Sequence, residues 1–126
     1  MKIISFDYGL KKIGVAVSMG SLAEPLVVIR GENEKQMLEK ALDIVESERP
    51  DKIIVGLPEG SVAHFAKTFG DELSLVSKIP VEFVDETLST FDAKQLSIAA
   101  GMRRKKRHDL EDAFSAAVIL QRYLDE

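Results

Sequence analysis

Residues 1–17, MKIISFDYGLKKIGVAV, decide how the rest of the chain is read. Lys2 to Phe6 and Ile13 to Val17 are two runs rich in β-branched and aromatic side chains, with Gly9, Leu10, Lys11 and Lys12 between them. Two such runs around a short breaker segment predict a β-hairpin. The first strand delivers Asp7 to its end, just before Gly9, whose backbone has access to angles that a Cβ penalises. Aspartate is common at strand ends for a local reason, since its carboxylate accepts from backbone N–H groups just ahead. Here Lys11 and Lys12 share the corner, which therefore combines an anion suited to a hard cation with two cations suited to phosphate.

Outward from the hairpin, Ala23 to Arg30 reads as a third strand, with Pro25 near its start where a missing N–H is tolerated. From Asn33 to Arg49 the period changes: Met37, Leu38, Ala41, Leu42 and Val45 recur at helical spacing, with Asn33 as N-cap and Pro50 as stop. Lys52 to Val55, closed by Gly56, Leu57 and Pro58, is a short apolar run of the kind buried on both faces of a sheet. Gly60 to Ser77 reads as a second helix, with Gly70 as an interruption. Pro80 precedes a fifth strand, Val81 to Val84, which runs into Asp85 and Glu86. A helix from Ser89 or Thr90 to Ala100 stops at Gly101, a basic loop follows, and Asp109 opens a final helix to about Leu124. Three meandering strands followed by alternating helices and strands predict an α/β fold: a mixed sheet with helices on its faces, residues 1–126 forming one domain.

The composition narrows the function. With 45% hydrophobic and 30% charged residues the chain is globular rather than disordered. The absence of cysteine excludes disulfides and thiolate metal sites and fits a reducing compartment. No stretch approaches the roughly 20 apolar residues that span a bilayer, so a cytoplasmic protein with no membrane partner is expected. The net charge is −4, yet Arg103, Arg104, Lys105, Lys106 and Arg107 are consecutive and His108 follows them. A mildly acidic chain with one concentrated basic segment points to a localised polyanion contact.

The acids can now be placed. Right-handed crossovers make the fourth and fifth strands parallel to the first, and the carboxyl ends of parallel strands form the crevice where ligands bind. Asp7 ends the first strand, and either Asp85 or Glu86 ends the fifth. In the last helix Ser115 is the only polar residue from Ala113 to Leu120, and Asp112 stands one turn before Ala116 on that apolar face. A carboxylate there must be paired, hydrogen-bonded or metal-bound, because an isolated buried charge is very costly. Asp109 shares the face, although an N-cap role explains it. Three acids with nearby cations suit a divalent-metal phosphodiester site, in which two hard cations about 4 Å apart activate water and stabilise the leaving oxygen. Oxygen donors favour Mg²⁺ or Mn²⁺. Zinc fits poorly, since His64 and His108 show no ligand spacing. The five cations immediately before the helix that carries Asp112 are placed to meet phosphate.

FDYGLKKIGVAVS, EPLVVI, IIVGLP, VDETLST, and RRKKR followed by EDAFSAAVILQRYLDE together resemble, in order and over nearly the whole chain, the motifs of the YqgF/RuvX family. That family of Holliday junction resolvases is now generally regarded as the pre-16S ribosomal RNA nuclease family. The resemblance implies a ribonuclease-H-like fold with a five-stranded mixed sheet in a cytoplasmic bacterial protein. It implies catalytic, metal-binding roles for Asp7, Glu86 and Asp112; Asp109, from its place on the helix face, is a further candidate ligand. It puts the family's basic stretch on Arg103, Arg104, Lys105, Lys106 and Arg107, and these with Lys11 and Lys12 of the turn are expected to hold the nucleic-acid backbone. Two departures stand out: Thr87 replaces the family's usual arginine, and the segment after Pro58 is shortened. The function expected is Mg²⁺- or Mn²⁺-dependent hydrolysis of structured RNA at the 5′ end of pre-16S rRNA by a monomer or weak homodimer. Cleavage of four-way DNA is the alternative, and nucleic-acid binding without catalysis a third reading. An Asp-x-Gly hairpin also opens ATP-handling domains of the actin and sugar-kinase type, but those need a second domain for which 126 residues leave no room.

Overall fold

The computed structural model describes residues 1–85 and 111–126. The elements are β1 (Ile3–Asp7), β2 (Lys12–Ser18), β3 (Ala23–Arg30), α1 (Glu34–Glu48), β4 (Lys52–Leu57), α2 (Val62–Ser77), β5 (Val81–Asp85) and, at the end of the chain, α3 (Glu111–Asp125). The helix expected between Ser89 and Ala100 lies outside the described residues.

The strands form one five-stranded sheet in the order β3-β2-β1-β4-β5. β1, β2 and β3 are antiparallel neighbours, while β4 pairs parallel to β1 and β5 parallel to β4. This is the expected meander plus two crossover strands, the mixed sheet of a ribonuclease-H-like α/β fold. β1 is central, and all five of its residues are buried.

Strand alternation divides the core into two. Ile4, Phe6, Ile13 and Val15 pack against Met37, Ala41 and Val45 of α1 and Ala66, Phe69 and Leu73 of α2. On the other face Ile3, Ala16 and Ile54 pack against Ala116, Ala117, Ile119 and Leu120 of α3. The apolar run in α3 is buried nearly all round, as its composition predicts. No helix among the described residues is long and apolar enough to cross a membrane.

Local details refine three expectations. Asn33 caps α1, its Oδ1 accepting from the Gln36 N–H at 2.9 Å. The helix ends on Arg49, which is left-handed at φ 49° and donates its N–H to the Val45 carbonyl, so the stop comes one residue before Pro50. Gly9 does not use a left-handed backbone; a Cβ there would lie 2.6 Å from the Lys12 carbonyl oxygen, so the tight turn itself requires glycine.

Gly70 does not interrupt α2 but lets it approach β5, since a Cβ at this position would lie 2.5 Å from Phe83 Cε1. Gly70→Ala should therefore lower the melting temperature, the clash with the ring outweighing the ~1 kcal/mol gain in helix propensity. In a Phe83→Ala background the same change should raise it. Thermal melts of the four proteins in this cycle check the reversal of sign.

Candidate active site

Asp7 lies in one register row with Val28, Gly14, Gly56 and Val84, running from β3 to β5. Its two strand neighbours are thus glycines, and no side chain rises beside it on either hand. α3 takes up that space. A Cβ on Gly14 would sit 1.7 Å from the Asp112 carbonyl oxygen, and one on Gly56 would sit 2.9 Å from Ile119 Cδ1. The helix rests directly on the glycine floor around the end of β1.

Two further observations put Asp7 and Asp112 on the same face and at the same end. Ile3 and Ser5, which share the parity of Asp7, face α3: Ile3 belongs to the α3 cluster, and the buried Ser5 Oγ donates to the Ala116 carbonyl at 2.8 Å. From that hydrogen bond, two residues along β1 cover about 7 Å to reach Asp7. One turn back along α3 covers about 6 Å to reach Asp112. Asp7 is only 9% exposed.

Lys12, the first residue of β2, has the parity of Gly14 and so also projects on the α3 face. Its Nζ lies 3.1 Å from Asp112 Oδ2, with the two side chains 51% and 31% exposed. Lys11 is exposed in the turn. Asp112, expected to be buried, is instead partly exposed, and it pairs with Lys12.

At the fifth strand, Val84 packs toward α3, whereas Val81 and Phe83 pack toward α1 and α2. Asp85 has the parity of Phe83 and pairs in register with Leu57, so it does not share the face of Asp7. Glu86, Asp109 and Arg103 to Arg107 lie outside the described residues. Among the described residues no group of three or more Asp, Glu, His or Cys side chains is close enough to hold a metal ion. The two acids that are described offer only carboxylate oxygens, the donor type that Mg²⁺ and Mn²⁺ accept.

Tyr8 follows Asp7 but points to the opposite face, packing on Phe69 with ring centroids 5.1 Å apart. Burial, helped by the charge of Glu34, pushes its phenol above the ordinary range. It therefore stays protonated at neutral pH and anchors the strand end by packing.

At the other end of α3, Lys52 Nζ is 2.7 Å from Glu82 Oε2 and also donates to the Tyr123 hydroxyl. The bond to Glu82, then that to Tyr123, raises the Lys52 ammonium, and the bond from Lys52 holds the Glu82 carboxyl below its usual range. A lowered carboxyl contributes stability above the ordinary glutamate range, about pH 4–5, and loses it as pH falls through the folded value. The raised lysine contributes below its ordinary range and loses that contribution only in strong alkali. Glu82→Gln should thus cost less than about 1 kcal/mol at neutral pH, as exposed pairs do. The difference should vanish in acid, as thermal melts from pH 3 to 8 would register.

The residues that sequence reasoning passed over are Ser5, Gly14 and Gly56, which seat the helix rather than perform chemistry. For Gly14 the signal was the row of small residues in GVAV facing the small residues of AFSAA; Ser5 and Gly56 carried no such signal.

The family model described as "RuvX: Holliday junction resolvase" matches residues 1–126. A protein of Paraburkholderia phytofirmans is 38% identical over 131 residues, covering 98% of this chain and 87% of the relative. One of Burkholderia cenocepacia is 37% identical over 132 residues, covering 98% and 89%. Both carry the name "Putative pre-16S rRNA nuclease". Among solved structures, T. thermophilus RuvC in complex with Holliday junction substrate superposes with a TM-score of 0.60 at 17% identity, over 94% of this chain and 90% of that one. The Fowlpox virus resolvase bound to Holliday junction DNA gives a TM-score of 0.63 at 15% identity, over 100% of both chains. At these identities the two structures speak for the fold alone. Matched along its whole length by the family model and by relatives sharing more than a third of its residues, the chain belongs to the RuvX (YqgF) family.

Proposed function

We propose that the protein is a metal-dependent endonuclease that hydrolyses RNA phosphodiesters in maturing the 5′ end of pre-16S rRNA. The observation that carries this reading is the seating of α3 on Gly14, which brings Asp112 and its Lys12 partner to the buried end of β1 beside Asp7. Asp7 and Asp112, with Glu86 as the third acid, would hold Mg²⁺ or Mn²⁺. Bound ions of this type make water nucleophilic near neutral pH and stabilise the leaving oxygen.

The protein's own contribution is placement. Asp7 is fixed by the central strand and Asp112 by the helix packed upon it, so the two carboxylates do not have to be ordered when substrate arrives. Lys11, Lys12 and Arg103 to Arg107 would neutralise the phosphates on either side of the scissile bond. Water attacks phosphorus, the bond from phosphorus to the 3′ oxygen breaks, and the products carry a 3′ hydroxyl and a 5′ phosphate. RNA as the substrate rests on the names of the relatives; the family description, which speaks of Holliday junctions, favours four-way DNA as the second reading. A monomer suits RNA trimming and a two-fold dimer suits paired cuts across a junction.

The test incubates wild type and Asp7→Asn with precursor 16S RNA and with a four-way DNA junction, each with Mg²⁺ or Mn²⁺. RNA cut by wild type alone is the expected result. Junction cleavage by wild type alone would transfer the proposal to DNA. Binding by both proteins without metal-dependent cleavage by either would overturn it in favour of a non-catalytic binder.

A further inference from the structure

The ion pair between Lys12 and Asp112 does more than neutralise an acid. Asp112 is held by its backbone, which lies against Gly14, and Lys12 stands at the start of the strand that carries Gly14. The lysine Nζ approaches Asp112 Oδ2 to 3.1 Å, so the ammonium occupies one of the two oxygens that this carboxylate can offer a divalent ion. Mg²⁺ binds carboxylate oxygen at about 2.0–2.1 Å and demands near-octahedral surroundings. An ammonium in contact with that carboxylate repels the incoming ion and blocks one direction of approach. The lysine can leave, because it is a compact charge on a flexible four-carbon stem and its side chain is 51% exposed. Leaving is cheap for the fold, since an ion pair this open to water adds little to stability.

We infer that Lys12 is a positioning residue which holds Asp112 while no metal is bound, competes with the divalent ion for that carboxylate, and is released toward a substrate phosphate when the ion binds. The inference rests on the metal site proposed above. It makes metal binding and exposure of a phosphate-binding cation two sides of one exchange, so that each favours the other through linkage.

The test measures Mn²⁺ binding to the full chain without nucleic acid, from the electron paramagnetic resonance signal of the free ion. Wild type, Lys12→Met, Lys12→Arg and Asp112→Asn are compared, with circular dichroism to check that each is folded. Lys12→Met keeps the stem and removes the charge, and should bind Mn²⁺ about fivefold more tightly, the low end of usual coupling between linked sites. Lys12→Arg keeps the charge and should stay within about twofold of wild type, well short of that coupling. Asp112→Asn should bind more weakly than wild type. If Asp112→Asn weakens binding but Lys12→Met does not tighten it, the competition is refuted while the metal site stands. If Asp112→Asn leaves the affinity unchanged, or no variant binds Mn²⁺, the metal-site reading fails and this inference falls with it.

Discussion

Gly14→Ala is expected to lower the melting temperature by about 10 °C or more and to abolish whatever activity the wild type shows. A methyl group at this position would lie 1.7 Å from the Asp112 carbonyl oxygen and 2.9 Å from the Ala113 nitrogen. Both are backbone atoms of a helix whose next two turns are buried in the α3 core, so neither can move aside as a side-chain tip can. Overpacking by one methyl usually costs about 1–3 kcal/mol. With no flexible atom to absorb the overlap, this case should reach or pass the upper end, and ~3 kcal/mol corresponds to ~10 °C in a domain of this size. The alternative to unfolding is that α3 lifts from the sheet, which would carry Asp112 away from Asp7. Gly20→Ala is the control, because nothing lies within 4 Å of the added carbon there. Native melting and native cleavage in Gly14→Ala would refute the helix seating on which the site depends.

The second large effect is expected at Asp7. Asp7→Asn preserves shape and hydrogen-bonding reach while removing the charge, so the variant should fold with a melting temperature within a few degrees of wild type. Cleavage should fall by at least about a hundredfold, since even groups one step removed from a metal carry about 10- to 100-fold. Asp112→Asn should also reduce cleavage, but by less. Asp112 lies at the more exposed edge of the site, where water can replace a lost ligand, whereas Asp7 is buried on the central strand. Single-turnover rates for both variants at saturating Mg²⁺ measure the order. An Asp7→Asn protein that cleaves as fast as wild type would remove Asp7 from the chemistry.

Much of this arrangement was legible in the residues, for reasons that differ between elements. The α3 helix declared itself because a run from Ala113 to Leu120 with one hydroxyl is too apolar for a surface, and that left Asp112 in need of a partner. β1 was readable from its β-branched and aromatic residues ahead of a short breaker segment, and β4 from its continuous apolar run. What could not be read was pairing at atomic range. The breaker segment between two β-branched runs put both Lys11 and Lys12 in the turn, yet β2 begins at Lys12, and that one-residue difference decides which of them meets Asp112. The same limit left Asp85 and Glu86 undecided; the packing of Phe83 and Val84 on opposite faces turns Asp85 away from Asp7, and Glu86 lies outside the described residues. Gly70 read as a break because glycine is a poor helix former, whereas its role is clearance for a ring on a strand distant in sequence.

The hydrogen bond from Ser5 to Ala116 joins positions 111 apart in the chain. On the ribosome, the first strand emerges long before α3, the helix that among the described residues covers Ile3 and Ser5. Among the described residues, the cluster under α1 and α2 draws on nothing beyond β5, so the meander and its two crossovers can pack on that face without α3. Asp7 and Asp112 can therefore meet only after α3 has been made and has docked. Any chemistry that needs both aspartates stays silent in incomplete chains and switches on when the last helix docks.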